Sequence, residues 1–114
     1  MIGGNTVATI EINQGTEKNA IGEYESSWIE VITVNGFLDL MSGDSKHTPF
    51  NAKIQESTHV FVCDYHDFKS LSITSENSRI VIDDQIYQVQ LIDDPMNLHQ
   101  HLEILLKYVG GQNG

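Results

Sequence analysis

Two acidic pairs, Asp83-Asp84 and Asp93-Asp94, bracket the apolar run of "RIVIDDQIYQVQLIDDP", Arg79 to Pro95. Paired carboxylates can hold a divalent cation or share acid–base work. Between the pairs, Tyr87, Val89 and Leu91 alternate with Gln88 and Gln90, the period of a half-buried β-strand. About ten residues at roughly 3.3 Å each set the pairs about 30 Å apart on a straight strand. Carboxylate ligands must come within about 2.6 Å of one ion. The pairs therefore read as turns. Asp83-Asp84 joins "RIVI" to "IYQVQLI" in a hairpin, and Asp93-Asp94-Pro95 ends the second strand. Aspartate bonds nearby backbone N–H groups in turns, and proline cannot donate to a ladder.

A second constellation is "HxHxE", made by His99, His101 and Glu103. On a strand these side chains point the same way, spaced about 6–7 Å apart, so two imidazoles and a carboxylate could meet one ion. The spacing is a poor form of the first metal motif of cupins, which separates the second histidine from the glutamate by more residues and adds a later histidine. No histidine follows Glu103. Surface-facing polar residues account for the pattern better, and no metal is expected. A third arrangement, Cys63–His66–Asp67, has the residue types of an activated thiol. An alternating strand, however, turns Cys63 into an apolar face, where a buried thiol is inert. The chain has no GxSxG, P-loop, GxGxxG or CxxC motif. It reads as a non-enzyme without a cofactor.

These residues are positioned by strands. "VATIEIN" (Val7–Asn13) alternates, with Ala8, Ile10 and Ile12 on one side, and "QGTEKNAIGEYESS" follows as a loop broken by Gly15 and Gly22. Trp28 to Met41 is a long β-like segment. Its Asn35-Gly36 is either a type I′ hairpin turn or a glycine bend inside one long strand. Ser42–Glu56 is polar and reads as an exposed, mobile loop of unusual length. Ser57–Tyr65 is a strand apolar on both faces, with Val60 and Val62 on one and Phe61, Cys63 and Tyr65 on the other. Such strands are covered on both sides, by their own chain or by a neighbour. Val60, Phe61, Val62 and Tyr65 are therefore candidates for a subunit interface. "HDFKSLSITSEN" has room for one helical turn. The segment from Leu98 to Val109 fits a strand through Leu102, Ile104, Leu106 and Tyr108, or a helical stripe through Leu98, Leu102, Leu105, Leu106 and Val109. The total is a mainly β chain of about six strands, a small barrel or sandwich with a long β2–β3 loop and at most one short helix.

The 114 residues fit a single domain, with residues 1–6 and 110–114 as flexible tails. Sixteen acidic against six basic residues leave a formal net charge of -10, which argues against gripping nucleic acid by its phosphates. It is compatible with letting DNA pass without sticking. One cysteine excludes an internal disulfide. "MIGGNTVATI" lacks the basic and apolar regions of a signal peptide, and no apolar run approaches a membrane span of about 20 residues. The expectation is a soluble protein made in a reducing cytoplasm.

Four pieces in order complete the picture: a Trp-led strand ending in Ser-Gly (Trp28 to Ser42-Gly43), "STHVF" (Ser57–Phe61), an Arg-Ile strand turning into "YxV" (Arg79-Ile80, Tyr87–Val89), and "IDDP" with "HLEI" (Ile92–Pro95, His101–Ile104). Over residues 20–108 this series resembles the head-closure, or head–tail joining, proteins of long-tailed bacteriophages and prophages. The resemblance implies a small β-barrel built into a ring of twelve subunits below the portal and its adaptor. That ring closes the DNA-filled head in the virion and docks the tail, while double-stranded DNA passes through without specific binding. It also implies one strand across Asn35-Gly36, a strand for Leu102–Tyr108, and a channel role for the loop Met41–Ser57. In that loop Gly43, Lys46, His47, Phe50 and Lys53 are the candidates. The alternatives are a tail-completion or adaptor protein at the same junction and, in a different class, a cupin-like metal enzyme.

Overall fold

The structure, a computed structural model, describes residues 4, 6–18, 21, 24–40 and 57–111, with the backbone alone for 16–18 and 24–26. Six antiparallel strands close into a barrel in the order β1-β2-β3-β6-β5-β4. They are β1 (Thr6–Lys18), β2 (Tyr24–Leu40), β3 (His59–Asp64), β4 (Ser78–Ile82), β5 (Gln85–Asp93) and β6 (His101–Gly111). Mainly β architecture and strand number agree with the sequence. Closure selects the barrel over the sandwich, because β4 pairs with β1 through Thr9–Ile12 and Ser78–Val81.

The interior follows from alternation. Ala8, Ile10, Val34, Phe61, Cys63, Ile80, Ile82, Val89, Leu102, Ile104 and Leu106 are buried in one cluster, each strand contributing the residues of its inner face. Outside the seam between β1 and β4, Arg79 donates from Nε to Glu11 Oε1 at 2.7 Å and lies over the Trp28 ring, 4.2 Å from its centroid.

Several local expectations change. The loop expected at 14–27 is largely strand: Thr16, Glu17 and Lys18 pair with Ser26, Glu25 and Tyr24. Gly15, at a positive φ of 115°, absorbs a register shift between Asn13 and Thr16, so the glycine bends the ladder instead of ending it. Thr6, Gly110 and Gly111, expected in the tails, are strand residues. Asn35-Gly36 is not a turn but lies within β2, where Gly36 pairs with both Thr6 and Cys63. A Cβ on Gly36 would sit 2.3 Å from the Val62 carbonyl oxygen and 2.7 Å from the Phe61 ring. The glycine is there because an aromatic ring occupies the space of its side chain. The segment from Tyr65 to Asn77 holds turns and no helix among the described residues. Leu98–Val109 resolves as strand from His101 onward, and Val109, part of the helical stripe, is exposed.

Both mouths of the barrel are dressed differently. At one, His59, Tyr87 and Tyr108 cluster, with ring centroids 5.1 Å (His59–Tyr87) and 5.5 Å (Tyr87–Tyr108) apart. Thr58 Oγ1 accepts the Tyr108 N–H at 2.8 Å there, fastening the entry to β3. Strand β2 ends and β3 begins at this mouth, where Leu40 pairs with His59. At the other mouth sit the β3–β4 connection, whose Phe68 and Ile73 are buried, and the β5–β6 connection with its short 3-10 turn Pro95–Asn97.

Two predictions follow from the backbone. Asp83 and Asp84 form the two-residue turn between Ile82 and Gln85 with φ of 51° and 63°, both in the left-handed region. Asn-Gly meets that geometry at lower cost, so Asp83→Asn with Asp84→Gly should raise stability by about 1 kcal/mol in urea denaturation. A clear loss would contradict the turn. Gly36→Ala should cost about 1–3 kcal/mol by the same measurement, because neither the Val62 backbone nor the buried Phe61 ring can yield freely. An unchanged midpoint would contradict the packing argument.

Candidate functional site

The histidines of "HxHxE" do not converge. Asp94 follows β5 and holds His99 twice, accepting its backbone N–H at 3.0 Å and pairing with its Nδ1. The chain between them takes left-handed φ at Met96, Asn97 and His99, which turns His99 away before β6 begins. His101 and Glu103 do share a strand face, and there they bind each other at 3.0 Å from Nε2 to Oε2. Thus the metal-ligating geometry considered for His99, His101 and Glu103 is replaced by two separate pairs. Among the described residues no group of three His, Cys, Asp or Glu side chains is placed to hold a metal ion.

Cys63 is fully buried in the barrel. Burial, and then the charge of Asp64, pushes its thiol up to about 11, so it is not a thiolate near neutral pH. His66 instead stacks on Phe68, 6.1 Å between centroids at 9°. The Cys63–His66–Asp67 arrangement is therefore a core residue followed by a surface connection.

Strand β3 has the two apolar faces expected of it, divided between core and exterior. Phe61 and Cys63 point inward, so Phe61, a candidate for the subunit interface, is withdrawn into the core and cannot meet a neighbour. Val60 and Val62 point outward and are partly buried. The register extends them across four strands: Asp39, Val60, Leu105 and Leu91 lie in one row, and Phe37, Val62, Glu103 and Asp93 in the next. Phe37, Val60, Val62 and Leu91 make an apolar stripe rimmed by three carboxylates, joined across β6 by Leu105, which is already buried. Phe37 is 49% exposed. Sequence reasoning missed Phe37, Leu91 and Leu105. The available signal was the doublet Leu105-Leu106, since adjacent leucines on a strand must occupy opposite faces.

Tyr65 lies just past β3, at the mouth with the two connections, and stacks on His99 at 4.6 Å. The far side of the barrel is acidic: Glu11, Glu30, Asp83 and Asp84 line a shallow groove with Val7, Thr9 and Val81. Gly43, Lys46, His47, Phe50 and Lys53, the channel-loop candidates, lie outside the described residues.

The described residues form a closed six-stranded barrel with an outer apolar stripe and acidic surfaces, and comparison with known proteins places that fold in a family. No curated protein matches the chain. Among solved structures, a chain from the virion of a native gene transfer agent particle is similar, with a TM-score of 0.60 and 13% identity, over 94% of this chain and 96% of that one. At that identity the likeness is one of fold. A family model described as phage head completion protein matches residues 4–109. The chain belongs to the phage head completion protein family.

Proposed function

We propose that this virion structural protein is the head-closure component of the head–tail connector. Copies form a ring, of twelve subunits by the resemblance, that seals the DNA-filled head below the portal and adaptor and offers the docking surface for the tail. The observation that carries this reading is the family match over residues 4–109. Two physical features support it. A formal charge of -10 per chain, multiplied around a ring, repels phosphate and lets the duplex slide during ejection without specific binding. The outer stripe of Phe37, Val60, Val62 and Leu91 suits burial against the next copy, because a ring needs a lateral contact that each copy repeats. The chain acts as one unit, made in the host bacterial cytoplasm and carried in the particle at the head–tail junction. Its work is assembly and needs neither a cofactor nor catalysis.

Like charge opposes self-association before the portal complex organises the copies. Light scattering at micromolar concentration should therefore show a monomer or a weak oligomer, and a stable ring without partners would contradict this step. The closure role is tested by particles assembled without the chain and then with a variant whose Gly43–Gln55 is cut to a tight turn. Without the chain, heads should fill, leak DNA and fail to join tails. With the shortened variant, tails should join while heads leak before joining, if Met41–Ser57 works in the channel. Full DNA retention without the chain would refute head closure. Full retention with the shortened loop alone would remove only the channel role.

A further inference from the structure

The two connections at the Tyr65 mouth leave an open cleft of about 640 Å³ between them. Its floor is apolar, made by the buried Phe68, Ile73 and Leu102. Its rim carries Tyr65, Asp67 and Asp94. Both carboxylates are held in place. Asp67 accepts the Ser70 N–H at 3.3 Å, and Asp94 is fixed by the backbone and ring of His99. Burial, and behind it the charges of Asp67 and Asp94, raises the pKa of the Tyr65 phenol, so both carboxylates act on the same ring. Lys69 is also on the rim, yet among the described residues it forms an ion pair with neither aspartate.

An apolar floor below an aromatic ring and two oriented carboxylates suits one kind of occupant. A long cationic side chain can lay its methylene stem on the floor and put its head among the acidic groups and beside the ring. The two carboxylates disfavour an anion, against the partly opposing charge of Lys69 on the same rim. A neutral apolar group would cover the carboxylates without supplying a counter-charge, which is costly. The chain's net charge of -10 also favours encounter with a basic partner. We propose that this cleft is the socket for an arginine- or lysine-bearing segment of an adjoining virion protein, seated on Phe68 and Leu102 with its cation between Asp67 and Asp94. The identity of the partner as a virion protein rests on the function proposed above. The chemistry of the socket belongs to the isolated chain. It lies at the mouth opposite the one where β2 ends and β3 begins.

The test is a ¹H–¹⁵N NMR titration of the full chain with the capped tripeptide acetyl-Leu-Arg-Leu-amide, and with its citrulline counterpart, which keeps the shape and loses the charge. The arginine peptide should shift amides within 65–75 and 92–102, with an affinity about tenfold above that of the citrulline peptide. Asp67→Asn should weaken it severalfold, and Lys69→Glu should tighten it. The second variant gains an effect of opposite sign, which damage to the fold would not produce. Equal binding of the two peptides would overturn the proposal, leaving a plain apolar groove. So would shifts centred on Glu11, Glu30, Asp83 and Asp84, which would mark general attraction to an acidic surface, or no shift at millimolar peptide. None of these failures touches the head-closure reading, whose own test is DNA retention in particles.

Discussion

Closure of the barrel between β1 and β4 is the constraint on which everything else depends. The seam is short, Thr9 to Ile12 against Ser78 to Val81, yet it removes two open edges at once. It is fastened on both sides. Inside, Ile10 faces Ile80, and both are fully buried. Outside, Glu11 opposes Arg79, whose guanidinium is held between that carboxylate and the Trp28 ring. Glu11 is itself mostly buried, so removing Arg79 would leave a desolvated carboxylate unpaired, and the stacked arginine adds packing as well as charge. With the seam closed, β3 is locked between β2 and β6, and its residues are sorted into core and exterior.

That sorting decides what the molecule can do. The core uses the inner halves of the strands, leaving two surfaces and two mouths for partners. One surface is the apolar stripe across β2, β3, β6 and β5. The other is the acidic groove beside the seam. One mouth is plugged by His59, Tyr87 and Tyr108, where burial lowers the pKa of His59 and keeps it neutral to lower pH than usual. The second holds the cleft with Tyr65 at its rim. The ring proposed above would use this separation, with lateral contacts on the faces of the barrel and axial contacts at its ends.

What was legible in the sequence was local. Alternation marked Val7–Asn13 and "IYQVQLI" as strands, apolar content marked Ser57–Tyr65, and the Asp83-Asp84 turn was readable because its chemistry is contained in two residues. Asn35-Gly36 was not, since the same dipeptide suits a tight turn and a glycine under an aromatic ring. Only Phe61, far along the chain, selects the second. The strand from His101 likewise needed β3 and β5 beside it to defeat the helical stripe. The two-sided apolar pattern of β3 was visible, but which face is core depends on closure, and so Phe61 stood among the subunit-interface candidates although it fills the core. The cleft was invisible because Tyr65, Asp67 and Asp94 come from two connections brought together only by the barrel. The family was legible through four ordered pieces and not through any catalytic motif.

The central claim is that this barrel sits as a ring at the head–tail junction with its β3–β6–β5 face against the next copy. Cryo-electron microscopy of the particle tests it most directly. The account predicts a ring of these barrels between portal and tail, with Val60 and Val62 buried between copies. Absence of the barrel from that junction, or a ring in which this stripe faces solvent, would contradict it.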